Sequence, residues 1–458
     1  MRLLQKNYTT MVSGNELIRS LSKDLVQCAR IDIDLFKKYN VKRGLRNEDG
    51  TGVLVGLTRV GNVVGYDQRP EGIVPAEGRL FFREYDVRDI IHAAVAEGRF
   101  GYEEACFLLL SGRLPKADEL ESFRRTLMDN MFLEQRTILH IIEMGGNDIM
   151  NILARSVLEM YTFDENPDDL SPENLMRQSV ELISKFPTII AYAYNMLRHQ
   201  DLGRTFHLRN PQDNYSLAEN FLYMLKGPGF TKLEAQTLDV MMILHAEHGG
   251  GNNSTFTVRV TSSTGTDTYS SIAAGIGSLK GPKHGGANIQ VADMVGHIRD
   301  NVKNWEDEKE ISEYLHKILR KEAYDRTGLI YGIGHAVYTL SDPRAVLLKE
   351  MAAKLAVEKG KEREYEFMTR LERLAIEAVY DVKGRGKILC ANVDFYSGFV
   401  YQMLGLPKEI YTPLFAMSRI VGWCAHRNEE LNFDGKRIIR PAYRVVSDRN
   451  AYIPIDKR

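Results

Sequence analysis

The segment GPKHGGAN occupies residues 281–288 and places His284 directly before a pair of glycines, Gly285 and Gly286. Because glycine has no Cβ, the chain can approach a ligand closely here and direct an imidazole into a cleft. Taken alone, the segment is equally consistent with an ordinary turn that contains a histidine. Its interpretation depends on the glycine- and histidine-rich loops around it in the second half of the chain.

A second loop, GIGHAVYTLSDPRA at residues 332–345, places His335 directly after Gly334. The loop ends in a predicted helix start, with Asp342 as the N-cap and a proline at the first helical position. Arg344 therefore lies in a first turn, where the backbone amide dipoles favour an anion. The alternative is a solvated surface arginine.

A third loop, ANVDFYSG at residues 391–398, places Asp394 between two apolar neighbours. A desolvated carboxylate is more basic than usual, and such a base can remove a proton from carbon. The alternative is that Asp394 only caps a helix beginning near Ser397.

A fourth loop, LHAEHGGGNNST at residues 244–255, contains His245 and His248 near the predicted end of a helix. Two imidazoles at this spacing need a third ligand to hold a metal, and no HExxH or DxD pattern supplies one. A metal site, core histidines and ligand-contacting histidines are the three interpretations of this loop.

Composition restricts the class of partner. The 458 residues contain 60 Lys and Arg against 61 Asp and Glu, so the net charge of -1 does not favour nucleic acid or a membrane surface. The 4 cysteines form no CxxC pair, which argues against a zinc knot or a disulfide framework and fits a reducing compartment. No apolar run long enough for a membrane span and no signal peptide is present, so we expect a cytoplasmic protein.

The chain is predicted to be mainly α-helical with a minor β element near its N-terminus. GVLVGLTRVGNVVGY at residues 52–66 is typical of a small hairpin turning at Gly61-Asn62. Residues 1–48 favour one or two short helices. A helix capped by Asp86 and ended by Gly98 follows. Further helices are predicted in GYEEACFLLLSGRLP, in ADELESFRRTLMDNM, and over residues 135–160, 173–200 and 216–246.

Together and in order, these loops resemble the citrate synthase family. The matching segments are HAEHGGGN, GSLKGPKHGGAN, GIGHAVYTLSDPR, NVDFYSG, FAMSRIVGWCAH and RIIRP. The separation of His248 and His284, 36 positions (284 − 248), is similar to the family's. The resemblance covers roughly residues 75–445, including RLFFREYDVRDI and EEACFLLLSGRLP. It implies a condensation of acetyl-CoA with oxaloacetate, followed by hydrolysis of citryl-CoA to citrate and CoA.

The resemblance also implies the catalytic roles. His284 is expected to hydrogen-bond the thioester carbonyl and stabilise the enol or enolate, and Asp394 to take the methyl proton. His335 is expected to polarise and protonate the ketone of oxaloacetate. Preorganised donors of this kind are usually the largest contribution to stabilising a developing oxyanion. Neither a cofactor nor a metal is expected.

Substrate contacts follow from the same resemblance. The oxaloacetate contacts are expected at His248, Arg344, Arg419 and Arg440, since arginines bind carboxylates bidentately. Arg440 is expected to reach in from a partner subunit, which implies a homodimer. The backbone of Gly332, Ile333 and Gly334 is expected to hold the adenine end of CoA.

The implied fold is citrate synthase-like, with two helical domains closing over a cleft to exclude water. Its boundaries are expected at residues 1–285 for the first part of the large domain, 286–405 for the small inserted domain, and 406–458 for the C-terminal part. Two segments depart from the family pattern. FFREYDV lacks the glycine of the family's YRGY-like segment, and EHGG lacks the Glu that follows the histidine in the family's DHE.

Three other functions remain open. The closest is a 2-methylcitrate synthase, which uses propionyl-CoA with the same catalytic residues. A metallohydrolase based on His245, His248 and His284 is a second. The third is a catalytically silent CoA-binding protein on the same fold.

Overall fold

The computed structural model describes residues 16–70 and 72–458 and divides into two units, residues 1–55 and 56–458. The described part of the first unit contains helices α1 (Glu16–Cys28) and α2 (Asp34–Lys38) and a 3-10 turn (Arg43–Leu45). None of the side chains described in this unit is buried. The prediction of short helices in residues 1–48 is confirmed over this part, and residues 1–15 lie outside the described residues.

The second unit begins with an antiparallel sheet of three strands in the order β1-β2-β3. These strands are β1 (Gly61–Arg69), β2 (Gly72–Phe82) and β3 (Tyr85–Asp86). A small β element near the N-terminus is therefore confirmed, but the predicted position of its turn is wrong. Gly61-Asn62 opens β1 instead of turning the chain, and the turn lies between Arg69 and Gly72.

The second strand escaped prediction because its sequence, GIVPAEGRLFF, contains residues typical of turns. Pro75 pairs with Tyr66 beside an irregularity in the register, where a missing N–H is tolerated. Leu80 and Phe82 are completely buried and anchor the strand to the core. Burial on the helical body therefore decides the pairing, and the turn-like residues do not.

Helices form almost all of the remaining unit. They are α3 (Val87–Ala96), α4 (Tyr102–Ser111), α5 (Ala117–Asp129), α6 (Gln135–Met144), α7 (Ile149–Met160), α8 (Pro172–Leu202), α9 (Leu217–Lys226), α10 (Lys232–Ala246), α11 (Asn253–Ser262), α12 (Thr268–Lys280), α13 (Ala287–Asn301), α14 (Glu308–Leu319), α15 (Pro343–Lys359), α16 (Glu362–Lys383), α17 (Val393–Met403) and α18 (Tyr411–Asn432). Two further 3-10 turns are Lys408–Ile410 and Ile455–Lys457. The mainly α fold class is confirmed.

Local signals place many of these helix ends. The Asp86 side chain accepts the Arg88 N–H and begins α3, as predicted. Gly112 ends α4 in the left-handed conformation, with φ of 82°, which glycine adopts without strain. The predicted helices at 135–160, 173–200 and 216–246 are present, and the first and last are each divided in two by a glycine-containing loop.

The core is organised around α18, whose Trp423 is completely buried. This helix packs against α8, α10 and α11. A second packed group comprises α13 to α17, with α17 lying against α13 and α15. The predicted domain boundaries at 286 and 405 would separate these two groups, and they remain a prediction. No helix among residues 16–70 and 72–458 is long and apolar enough to cross a membrane.

The sheet supports the loop that carries His335. Ser341 Oγ accepts the Gly78 N–H at 3.2 Å, and Thr339 Oγ1 accepts the Ala76 N–H at 3.3 Å. A Cβ at Gly78 would lie 2.8 Å from the Pro343 ring, so only glycine permits this approach. The small sheet therefore fixes the backbone between His335 and α15.

Candidate functional site

Helix ends bring most of the predicted residues into one region. His248 follows the end of α10, and His284 lies in the turn before α13. Arg344 and Asp394 occupy the first turns of α15 and α17, and Arg419 projects from the middle of α18. Contacts and charge interactions connect these residues into a single cluster.

His284 is held by its Nε2 atom. Nε2 lies 3.4 Å from the Ser254 backbone N–H and 3.1 Å from the Ser254 hydroxyl, which in turn accepts the Trp423 indole N–H at 3.2 Å. Because a backbone N–H can only donate, Nε2 is the acceptor and the neutral ring carries its proton on Nδ1. Burial and then the charge of Arg419 lower the pKa of His284 to about 4, so the ring is neutral at pH 7.

The turn around His284 requires its glycines. A Cβ at Gly285 would collide with the Leu279 carbonyl and lie 2.9 Å from the Thr412 methyl group. The Gly285 carbonyl accepts the Thr412 hydroxyl at 3.1 Å, which ties the turn to α18. The segment GPKHGGAN is therefore a well-defined turn that also orients the His284 imidazole, so the two interpretations, turn and site-forming loop, are compatible.

His335 is held by the opposite nitrogen. Its Nδ1 accepts the backbone N–H groups of Val337 at 3.1 Å and Tyr338 at 3.0 Å. Both ring nitrogens face donors, because Nε2 lies 3.4 Å from Arg344 Nη2. The two shorter contacts at Nδ1 place the proton of the neutral ring on Nε2. The ring stacks on Tyr338 with 4.6 Å between the two ring centroids. The backbone N–H groups that directly follow the GIGH segment thus determine the tautomer of His335.

Arg344 is buried and paired with Asp342. Its Nε and Nη2 donate to the two Asp342 oxygens at 3.0 and 2.7 Å. Asp342 also caps α15 by accepting the Arg344 N–H at 3.0 Å, and it accepts the Val393 N–H at 3.2 Å. The solvated-arginine interpretation is wrong, because this carboxylate holds the arginine at the start of two helices.

Asp394 lies one residue after Val393 in the first turn of α17. The Asn392 side chain caps this helix by accepting the Asp394 N–H at 3.0 Å, so capping is not the task of the Asp394 carboxylate. Burial raises the pKa of Asp394 to about 6, against the lowering effect of the Arg344 charge. The carboxylate is thus a stronger base than an ordinary aspartate and is still mostly ionised at pH 7.

His248 and Arg419 form the remaining wall of the cluster. The His248 ring lies 5.3 Å from the His335 ring, and burial holds the pKa of His248 well below its usual value. Arg419 Nε donates to the His245 carbonyl at 2.6 Å, whereas its Nη1 and Nη2 are buried with no hydrogen-bond partner among the described residues. Burial lowers the pKa of Arg419 to about 10, so it remains a cation. Two unsatisfied cationic donors fit a carboxylate ligand.

The Gly332–Gly334 segment is joined to the start of α17. The Gly334 N–H donates to the Cys390 carbonyl at 2.7 Å, and the Asn392 N–H donates to the Gly332 carbonyl at 2.9 Å. In this antiparallel bridge the N–H and C=O of Ile333 point to the opposite side. The His335 loop and the Asp394 helix are thereby held at a defined separation.

Arg440 is the one predicted substrate contact that the chain does not bring into the cluster. It is exposed and follows the end of α18 in an irregular segment. None of the contacts found for His248, Arg344 or Arg419 in the described residues involves it. Its expected action across a subunit interface stays a prediction.

Ser254 and Glu247 are the site-forming residues that sequence reasoning missed. Ser254 orients His284, and Glu247 is a completely buried carboxylate beside His248. Both lie inside LHAEHGGGNNST, but nothing in the motif shows which distant side chain each one meets. Within residues 16–70 and 72–458, no three His, Cys, Asp or Glu side chains are grouped as metal ligands. The three histidines of the metallohydrolase alternative are therefore not arranged as its metal site.

Comparison with known proteins gives a consistent result. Residues 50–442 match the family model described as citrate synthase, C-terminal domain. The chain is 36% identical to citrate synthase 2 of Bacillus subtilis over 382 residues, covering 83% of this chain and 93% of that protein. It is 33% identical to a 2-methylcitrate synthase of Shewanella oneidensis over 383 residues, covering 83% and 92%.

Solved structures agree with this comparison. The ternary complex of carboxymethyl coenzyme A and oxaloacetate with citrate synthase from Thermoplasma acidophilum has a TM-score of 0.73 at 28% identity, covering 91% of this chain and 99% of that one. The citrate synthase from Pyrobaculum aerophilum has a TM-score of 0.72 at 29% identity, covering 89% and 94%.

Proposed function

The chain belongs to the citrate synthase family of enzymes, and we propose that it condenses acetyl-CoA with oxaloacetate and hydrolyses the resulting citryl-CoA to citrate and CoA. The observation that carries the proposal is a pair of neutral histidines with opposite donor nitrogens, in one cluster with a carboxylate of raised pKa. Claisen-type condensation needs a base for a carbon acid and a hydrogen-bond donor for each carbonyl oxygen.

In the first step, Asp394 removes a proton from the acetyl methyl group. A carboxylate is a far weaker base than the carbanion it creates, so the negative charge must be stabilised as it moves to the thioester oxygen. Nδ1–H of His284 is the donor for that oxygen, because Ser254 already occupies Nε2. The product of this step is an enol or enolate hydrogen-bonded to a neutral imidazole.

In the second step, the enol carbon attacks the ketone carbon of oxaloacetate and the ketone oxygen takes a proton. Nε2–H of His335 is the donor for this oxygen, since its Nδ1 accepts two backbone N–H groups. Water then attacks the thioester of citryl-CoA, and the thiol of CoA leaves. The proton taken by Asp394 replaces the one that His335 gives to the ketone oxygen, and in the hydrolysis the water gives its hydroxyl to the acyl carbon and a proton to the leaving thiolate.

The oxaloacetate carboxylates would be held by His248, Arg344 and Arg419. Arg419 is suited to this because its two terminal nitrogens are buried and unsatisfied among the described residues. Arg440 of the partner subunit would complete the site in a homodimer, and the Gly332–Gly334 backbone would hold the adenine of CoA. Closure of residues 286–405 over the rest would exclude water until condensation is complete.

The decisive experiment is thiol release from acyl-CoA with and without oxaloacetate. We expect oxaloacetate-dependent release with acetyl-CoA, and citrate as the product by mass spectrometry. Propionyl-CoA is the matched alternative, because a 2-methylcitrate synthase shares the same catalytic residues. A kcat/KM higher for propionyl-CoA would replace the acetyl assignment, and no release with either thioester would leave the silent CoA-binding protein as the better description.

The proposed assembly has its own test. Light scattering after size exclusion should give a dimer mass. In that dimer an Arg440→Ala variant should bind oxaloacetate more weakly. Mixing Arg440→Ala chains with His335→Ala chains should restore activity in hybrid dimers if Arg440 acts across the interface, and should restore none if each chain completes its own site.

A further inference from the structure

A buried chain of polar side chains lies behind the turn that carries His248. Glu247 Oε1 accepts Nε2–H of His426 at 2.9 Å and also the Gly249 N–H. His426 Nδ1 lies 3.0 Å from Arg259 Nε and 2.7 Å from Arg259 Nη2. Arg259 Nη1 donates to Glu430 at 2.6 Å. Glu247 and His426 are completely buried, and the other two are nearly so.

Glycines in the surrounding backbone leave room for these buried polar side chains. A Cβ at Gly61 would lie 2.9 Å from the Glu247 side chain, and one at Gly422 would lie 2.8 Å from Glu247 Oε2. A Cβ at Gly250 would press on Arg259 at 3.3 Å. The first strand and helix α18 thus approach Glu247 so closely that a larger residue would require a shift, and the His248 turn lies tightly against Arg259.

The direction of each hydrogen bond follows from the donors. Arg259 has only N–H groups, so His426 Nδ1 is an acceptor and the neutral ring carries its proton on Nε2. That proton is donated to Oε1 of Glu247. Burial opposes the charge, but His426, Arg419 and the Gly249 N–H together hold the pKa of Glu247 below its usual value. Glu247 therefore places a negative charge behind the His248 turn.

This charge is placed beside Arg419. Gly422 brings Glu247 Oε2 and the Arg419 side chain to the same point on α18, with the Arg419 Cδ 3.3 Å from the same added Cβ. Glu247 raises the pKa of Arg419, whereas Arg344 lowers it. Arg344 has its own carboxylate, Asp342, in direct contact. Each of the two arginines thus has one buried counter-charge, but only Arg419 keeps both terminal nitrogens unsatisfied among the described residues.

We propose that Glu247, His426 and Arg259 are positioning residues for oxaloacetate binding. They fix the turn that carries His248. They also hold the Glu247 carboxylate near Arg419 while its two terminal nitrogens remain available to a ligand. The inference rests on the proposed function, because it concerns the substrate of the same site. It assigns a task to residues that contact neither substrate.

The test uses two replacements of His426 that differ in reach. His426→Gln places an amide N–H near the former Nε2 position and can still donate to Glu247, whereas His426→Asn is one carbon shorter and cannot. We expect His426→Asn to raise KM for oxaloacetate by about tenfold or more, the usual effect of losing a hydrogen bond to a charged group. His426→Gln should stay within about threefold of the parent. KM for acetyl-CoA should change by less than about twofold in both.

Arg427→Lys is the matched control. Arg427 is buried on the same helix and hydrogen-bonds Ser262, Ser271 and Thr266, away from the substrate cluster. The Arg427→Lys variant should have a lower melting temperature than the parent and an unchanged KM for oxaloacetate. Equal changes in both KM values, or indistinguishable Asn and Gln variants, would overturn the proposal and indicate a merely structural role.

The outcome is separable from the proposed function. If the parent releases no thiol from either acyl-CoA, oxaloacetate binding is measured by calorimetry, with Kd in place of KM. If the parent and the His426→Gln variant bind oxaloacetate with a lower Kd than the His426→Asn variant, the positioning role is supported even though the proposed reaction is wrong. A parent that binds no oxaloacetate overturns both.

Discussion

His284 and His335 are the same residue type in the same cluster, yet the chain holds them by opposite nitrogens. Ser254, a residue 30 positions earlier in the sequence, occupies Nε2 of His284. Two backbone N–H groups only two and three residues later occupy Nδ1 of His335. One tautomer is thus chosen by tertiary contact and the other by local backbone. The partner that hydrogen-bonds one ring nitrogen of a histidine therefore decides which nitrogen remains as the donor. This difference explains how two imidazoles can serve two different carbonyl oxygens.

Removal of the base Asp394 should have the largest effect on activity. Both carbonyl donors depend on an enolate that forms only if a base takes the methyl proton, so Asp394→Ala should lower kcat by on the order of a hundredfold or more. Steady-state rates with both substrates saturating measure this. Asp293→Ala, a change to a solvent-accessible aspartate on α13, is the control and should leave kcat unchanged. Full activity in Asp394→Ala would remove Asp394 from the mechanism.

Exchange of each imidazole for an amide tests which nitrogen of His284 and of His335 is the donor. The Asn amide nitrogen lies near the position of Nδ1 and that of Gln near Nε2. We therefore expect His284→Asn to retain about tenfold more kcat than His284→Gln, and His335→Gln about tenfold more than His335→Asn, since each retains one donor. The same order at both positions would contradict the assignment of opposite tautomers.

The pH dependence tests the base Asp394 against His284. An Asp394 with pKa of about 6 is active only when ionised, so kcat/KM should fall about tenfold for each pH unit below 6. The pKa of His284 is about 4, so this ring stays neutral over the same range and adds no second transition. Rates measured from pH 5 to 8 under one ionic strength check this. A constant rate down to pH 5 would be incompatible with Asp394 as the base.

The smallest effect is expected from a change to Ser254, which hydrogen-bonds His284. Ser254→Ala removes the hydroxyl but leaves the backbone N–H on Nε2, so the tautomer should persist with a looser ring. We expect kcat to fall about threefold to tenfold, the range for one hydrogen bond. The same variant should not change KM for oxaloacetate. A loss as large as that of His284→Ala would mean that the hydroxyl alone orients the ring.

Much of the fold and the cluster could be predicted from local sequence. Helix caps such as Asp86 and Asp342 act within one turn, so their effects are visible in the neighbouring residues. The hairpin was misplaced because the turn-like residues of β2 obscure a strand that is formed by burial of Leu80 and Phe82. The capping alternative for Asp394 is decided by the structure, in which the Asn392 side chain caps a helix that begins at Val393.

By itself, the sequence determined the helical class, the loops that carry His284, His335 and Asp394, and the start of α15 with Arg344. These depend on interactions over a few residues, and the ordered motifs connect them to one family. Only the tertiary structure decided which nitrogen each histidine offers, how basic Asp394 becomes, and which buried donors of Arg419 remain unsatisfied among the described residues. The physical reason is that pKa values and tautomers depend on burial and on partners contributed by distant parts of the chain.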